Sequence, residues 1–258
     1  LIRNPILKVL STFSRHDVKA LLMGGQACIL YGAAEFSRDS DFVVLADQEN
    51  LGLLQSALRE LRAEVIAVPP FEVPYLEKGH AVHFRCRHPD VAGLRIDLMS
   101  VLRGGDPFEA LWNRRQTIHL EGGAVRVHVL GLPDLVQAKK TQRDKDWPML
   151  RRLLEADYLA DVRPSREKIL FWLMESRTPE ILRRLCQTYA DQAAPIAARR
   201  QAVDDALSGD LDKVAASLAQ EEAEERRRDT EYWKPLRREL ELLRHGMDSG
   251  TRTATANE

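Results

Sequence analysis

Three Asp-x-Asp pairs punctuate the chain, at Asp39/Asp41, Asp144/Asp146 and Asp210/Asp212. Two carboxylates this close in sequence can grip a hard cation only if the backbone turns them the same way. On a strand, positions i and i+2 share a face about 7 Å apart at Cα; on a helix the same spacing points them well apart. The aromatic and β-branched run FVVLA directly after Asp41 predicts a strand, so Asp39 and Asp41 are the pair expected to chelate. Asp144 and Asp146 open a predicted helix, where negative charge complements the N-terminal dipole. Asp210 and Asp212 fall in a helical stretch and make a poor chelator.

A third carboxylate comes from LRIDLMS. Alternation there turns Leu94, Ile96 and Leu98 toward a core and Arg95, Asp97 and Met99 to the other side. Asp97 therefore emerges beside the first pair if the two strands are neighbours; the plain alternative is a salt bridge with the arginines near it. Bringing like charges to about 5 Å costs about 3 kcal/mol per pair at an effective dielectric of 20, so such a cluster calls for a cation. Oxygen-only ligands select Mg²⁺ or Mn²⁺, which normally bridges carboxylates to substrate phosphates. The apolar run VKALLM ends at Gly24-Gly25. A strand, a glycine turn and a helix N-terminus make a phosphate cradle, although a glycine pair can equally be a tight turn with no ligand.

The elements that must position these groups follow from periodicity. A short helix is predicted over residues 4–13, strands over VKALLM, FVVLA and EVIAV, and an amphipathic helix over 48–61 with Leu51, Leu54, Leu58 and Leu61 on one face. HAVHFRCRH and LRIDLMSVL alternate like neighbouring strands joined by a turn, DPFEALWNRR reads as a helix, and QTIHLEGGAVRVHVLG as a hairpin turning at Gly122-Gly123. This is a mixed sheet with helices on it over residues 1–131. From Pro133 the pattern is helical only, giving a second domain over 132–246, in which Pro235 is expected to bend or break the last helix. The small polar tail 247–258 is expected to fray.

Composition narrows the function classes. Among 258 residues, 44% are apolar and 30% charged, with a net charge of -1, so no global field draws the chain to nucleic acid or membrane. No uncharged apolar run approaches the roughly 18 residues a membrane span needs, and no leader precedes a cleavage site, so the expected location is the cytoplasm. Cys28, Cys86 and Cys186 are odd in number and far apart, which predicts buried, reduced thiols. His80, His83, Cys86 and His88 invite a zinc reading, but alternation puts His83 on the opposite face from the others. His83, Arg85 and Arg87 share a face, either a basic lining for phosphates or an exposed sheet surface. Neither a P-loop nor a Rossmann fingerprint is present, and no G-x-S-x-G elbow supports a serine hydrolase.

The segment MGGQACILYGAAEFSRDSDFVVL resembles the signature of the nucleotidyltransferase superfamily: an apolar strand, paired small residues, a helix, then D-x-D running into a second strand. Asp97 in LRIDLM matches that superfamily's third acidic position. DLVQAKKTQRDKDW is similar to a later segment of bacterial members, including AbiEii-like toxins. The likeness spans residues 18 to about 150. It implies an α/β (α+β) nucleotidyltransferase-type domain, a helical C-terminal region, and transfer of a nucleoside monophosphate from a nucleoside triphosphate to an acceptor with Mg²⁺ or Mn²⁺ assisting. Under it Asp39, Asp41 and Asp97 are the catalytic and metal-binding residues, and Gly24, Gly25, Arg38, Lys139 and Arg143 approach the phosphates. RNA or a small molecule is the implied acceptor, and the toxin relatives imply an antitoxin protein as a partner. Gln26 departs from the Ser, Thr or other small residue that often follows the glycines. A non-catalytic nucleotide-binding or regulatory protein of the same fold is the competing class, and a metal-dependent phosphohydrolase the third.

Overall fold

The computed structural model describes residues 5–34 and 37–254. They fall into two compact units. The first takes the described residues within Leu1–Ala27, Phe36–Ala138 and Glu231–Glu258, and the second those within Cys28–Glu35 and Lys139–Thr230. Neither unit is one stretch of sequence, so contacts group the chain differently from a single cut near residue 131.

In the first unit, which takes α2 only as far as Ala27, the order is α1 (Pro5–Arg15), β1 (Ala20–Met23), α2 (Gly24–Leu30), β2 (Asp39–Val44), α3 (Gln48–Glu60), β3 (Ala63–Val65), α4 (Val73–Glu77), β4 (Val82–Cys86), β5 (Arg95–Met99), α5 (Phe108–Asn113), β6 (Gln116–Leu120), β7 (Val125–Val129) and α6 (Leu132–Ala138). The strands form one mixed sheet in the order β3-β4-β5-β2-β1-β7-β6. At its centre β2 runs antiparallel to β1 and parallel to β5. This is the mixed sheet with flanking helices that the hydrophobic pattern predicts. Expected strands and helices are present within a few residues, with EVIAV reduced to the three residues of β3. The glycine turn at residues 122–123 is also there, Gly122 adopting the positive φ of 67° that favours glycine.

One face of the sheet is a dry core. Phe42 of β2 and Ile96 and Leu98 of β5 are at most 2% exposed, and Phe13 of α1 meets Phe42 with ring centroids 4.8 Å apart. Helix α3 follows β2 directly and starts where Asp47 accepts a hydrogen bond from the Asn50 amide at 2.7 Å. Asn50 itself is buried, and its amide group makes three backbone bonds, to the N–H and carbonyl of Lys19 and the carbonyl of Leu45. It thereby ties the chain leading into β1 to the chain leaving β2. A buried amide with these bonds made stabilises the register of the two strands; left unpaired it would oppose folding.

The second unit contains α7 (Asp146–Ala160), α8 (Arg166–Glu175), α9 (Pro179–Thr188), α10 (Ala190–Ala197), α11 (Gln201–Ser208) and the first part of α12 (Leu211–Ala254). Trp172, Leu173, Leu182, Leu185, Val203 and Val214 build its core. Trp172 still finds Asp157 for its indole N–H at 2.8 Å. The buried Arg200 guanidinium satisfies the carbonyls of Leu173 and Ser176 at the end of α8 while pairing with Glu221.

Two helical expectations differ from the structure. Helix α12 runs without interruption through Pro235, so of the bend or break expected there the break does not occur. It also continues to Ala254, past Asp248 where fraying is predicted, and residues 255–258 lie outside the described residues. Cys28, Cys86 and Cys186 are buried thiols outside any disulfide, as expected, with burial pushing those of Cys86 and Cys186 up to about 11. No helix among the described residues is long and apolar enough to cross a membrane.

Glu60, the last residue of α3, gathers the cations of α1. Its carboxylate accepts from Lys8 at 2.8 Å and Arg15 at 2.7 Å and meets His16 at 3.1 Å. These bonds, that from Lys8 first, hold it at about 2 against an ordinary 4.5. A depressed carboxylate contributes stability that is complete above its unfolded-state value and disappears as pH falls through the folded one. Glu60→Gln should therefore lower urea-unfolding stability at pH 7, with the gap to wild type shrinking from about pH 4.5 downward and closing near pH 2.

Candidate functional site

The sheet face opposite Phe42 carries the polar residues. Asp39 and Asp41 both lie within β2 and alternate with the buried Ser40 and Phe42, so their carboxylates share that face. In the parallel pairing of β2 with β5, Asp41 stands opposite Asp97 and Asp39 opposite Arg95. In the antiparallel pairing of β5 with β4, Asp97 stands opposite His83 and Arg95 opposite Arg85. Three acidic positions and three basic ones thus meet on adjacent rungs of three strands. Ile96 and Leu98 are wholly buried beneath, while Arg95, Asp97 and Met99 are half-buried, as alternation predicts.

The glycine pair is built into this face. Gly24 opens α2 at φ +67°, and a Cβ there would lie 1.9 Å from Oδ2 of Asp41. A Cβ on Gly25 would lie 2.4 Å from the Ser37 hydroxyl. Gln26 donates to the Ser37 carbonyl at 2.9 Å, and the Ser37 hydroxyl donates to the Asp39 carbonyl at 3.3 Å. The glycines thus let the start of α2 close onto the segment that delivers both aspartates. Gln26, which departs from the expected small residue, is one of the bonds holding that segment. Arg38, between them, is exposed.

Asp97 is turned toward its basic neighbours. Its Oδ1 accepts from Arg95 Nε at 2.6 Å and lies 2.9 Å from His83 Nδ1. Burial, the largest single influence, pushes its pKa up; the hydrogen bonds of His83 and Arg95 with their charges together outweigh it, and the carboxyl lies below the ordinary range. Arg95 is raised in turn, first by its bond to Asp97 and further by the charges of Asp39 and Asp41. In this arrangement no three His, Cys, Asp or Glu side chains among the described residues converge closely enough to hold a metal ion. The atoms that Asp39, Asp41 and Asp97 have to offer are all carboxylate oxygens, the donor type a hard cation takes, and Oδ1 of Asp97 is engaged by Arg95 and His83. The same absence covers His80, His83, Cys86 and His88, for which no zinc-type cluster forms.

Lys139 and Arg143 belong to the second unit, and Asp146 engages both. Lys139 Nζ lies 2.9 Å from Oδ1, and Arg143 Nε lies 2.8 Å from Oδ2, which also accepts from Thr141 at 2.6 Å. The Trp147 indole donates to the Thr141 carbonyl. Lys139, Lys140 and Asp146 are buried, so the lysines are not a wet helix face; Lys140 is held by Glu175 at 2.8 Å. Sequence reasoning did not single out Ser37 or Asn50. The plain alternative it gave for Asp97, a salt bridge with a nearby arginine on the same alternation phase, is present, with Arg95.

Gly24→Ala combines a strained positive φ with a clash against the Asp41 carboxylate. It should destabilise the fold by about 1–3 kcal/mol and lower its urea midpoint. Gly32→Ala meets no neighbouring atom and supplies the control for a positive-φ glycine without the clash.

No family model matches the chain, and no curated protein matches it. Among solved structures it is similar to a "putative nucleotidyltransferase from H. pylori", at 15% identity and a TM-score of 0.40, over 88% of this chain and 94% of that one. It is also similar to an "antigenic nucleotidyltransferase-like protein from Paracoccidioides brasiliensis", at 16% identity and a TM-score of 0.40, over 79% of this chain and 90% of that one.

Proposed function

We propose that the protein is a metal-dependent nucleotidyltransferase, moving a nucleoside monophosphate from a nucleoside triphosphate to an acceptor hydroxyl or phosphate. The observation that carries this reading is the rung on which Asp41 faces Asp97, with Asp39 on the same face and Gly24 closed against Asp41. Two carboxylates from one strand and a third from its parallel neighbour are what a hard cation and a triphosphate together require.

In this reading Asp39 and Asp41 hold the Mg²⁺ or Mn²⁺, and Asp97 either completes the set or takes the acceptor's proton. The cation supplies neutralisation of triphosphate charge when bound. An acceptor oxygen then bonds to the α-phosphorus as the bond to the bridging oxygen breaks, and pyrophosphate leaves. The exposed Arg38 donates charge-assisted bonds to phosphate oxygens, and the backbone at Gly24 and Gly25 approaches them. Lys139 and Arg143 take the same role by resemblance, and each must exchange Asp146 for phosphate to do so. RNA or a small molecule is the proposed acceptor. AbiEii-like toxin action in the cytoplasm, with an antitoxin protein as partner, follows from the motif resemblance.

A nucleotide-binding protein of the same fold without turnover is the second reading, favoured by the ion pair that occupies Asp97. The two separate on transfer of label from α-labelled triphosphates, with Mg²⁺ or Mn²⁺, to RNA, protein or small hydroxyl acceptors. Wild type should transfer label, and Asp41→Asn should lower the rate at least about 100-fold, the several kcal/mol a metal-held transition state supplies, with its thermal unfolding unchanged. Triphosphate binding without transfer to any acceptor would leave the second reading standing.

A further inference from the structure

We infer that Arg95 is a latch on Asp97: in the free protein its guanidinium occupies the third carboxylate, and Asp97 joins Asp39 and Asp41 only when Arg95 lets go. This rests on reading Asp39 and Asp41 as a cation site.

The geometry around Asp97 is over-subscribed. Oδ1 of Asp97, Nδ1 of His83 and the Arg95 fork form a triangle with sides of 2.9 Å from Nδ1 to Oδ1, 2.6 Å from Arg95 Nε to Oδ1, and 3.0 Å from Arg95 NH2 to Nδ1. Nδ1 has one site to offer. If it carries a proton, it donates to Asp97 and meets the guanidinium donor head-on. If it carries a lone pair, it accepts from Arg95 and turns that lone pair toward the carboxylate oxygen. One side of the triangle is therefore unsatisfied in either tautomer of the neutral ring.

Of the three corners, Arg95 is the one that can leave. Its side chain is 39% exposed against 18% for Asp97, and it sits on a long flexible stem. It grips Asp97 by one bond rather than by the two-pronged fork that makes arginine pairs strong. Both contacts fall on Oδ1, and among the described residues nothing bonds Oδ2. Once Arg95 departs, His83 can still donate Nδ1–H to Oδ1 at the existing 2.9 Å, holding the carboxylate by one oxygen and leaving the other for a cation on the face it shares with Asp41. The latch accounts for three acidic positions sharing adjacent rungs while no ligand set forms among the described residues.

The test is Mn²⁺ binding to the nucleotide-free protein, read by loss of the free-ion paramagnetic resonance signal. Removing any positive charge from this face tightens cation binding somewhat, so the charge-matched control is Arg85→Gln, directly across the strand pair from Arg95 on the same face. Arg95→Gln should tighten Mn²⁺ binding about three- to tenfold more than Arg85→Gln, the range set by releasing one partly exposed ion pair. That extra gain should vanish when Arg95→Gln is placed on an Asp97→Asn background. Equal effects of the two arginine variants, or a gain that survives in Asp97→Asn, would overturn the latch. Should Arg95→Gln fail to fold, Arg95→Met, which keeps the apolar stem and loses the charge, is held to the same criterion against Arg85→Met. Asp39→Asn and Asp41→Asn separate the two claims. If neither weakens Mn²⁺ binding in any background, the cation site falls and the latch with it; if both do while Arg95 and Arg85 behave alike, the latch alone falls.

Discussion

The parallel pairing of β2 with β5 is the constraint on which the candidate site depends. It is fixed from below rather than from the site: Phe42, Ile96 and Leu98 are driven into the core, and those residues set which side chains face the other way. A slip of one residue in this register would send the aspartates into the apolar layer and the core residues into water, an exchange that hydrophobic burial strongly opposes. The acidic rungs are therefore held by the packing of the opposite face. Asn50 adds a polar clamp where β1 begins and β2 ends, and α1, bound to Glu60 at the end of α3, braces the dry side.

Charge on the open face is balanced internally. Three carboxylates share it with Arg95, Arg85 and His83, and Arg95 feels all three acids. Such a face can exist before any ligand arrives because like-charge repulsion is offset by neighbouring cations in a partly solvated setting. The same balance makes Asp97 dependent on its neighbours. The desolvation it suffers is relieved only by the groups that hold it, so its availability is inseparable from theirs.

Two motif segments carry more structural weight than their chemistry suggests. Gly24 and Gly25 remove side-chain atoms where α2 closes on Ser37 and Asp41, so these positions are demanded by packing whether or not phosphate ever approaches them. In DLVQAKKTQRDKDW, Asp146 draws Lys139, Thr141 and Arg143 into one knot at the start of α7. A buried carboxylate with this many partners is well satisfied, and replacing Asp146 would leave the buried Lys139 without its counter-charge.

The sequence by itself determined what depends on local period and residue type: the strand placement of Asp39 and Asp41, the outward phase of Asp97, the amphipathic α3 and the change to helices after β7. These follow from alternation and apolar spacing, which act over a few residues. Tertiary structure alone decided which strands are neighbours, and hence that Asp97 meets Arg95 and His83 on the rung beside Asp41. It also decided that Lys139 and Lys140 are buried in ion pairs, that α12 passes through Pro235, and that the two units interleave along the chain. Pairing energies between residues far apart in sequence depend on distance and desolvation, and neither quantity exists until the chain has folded.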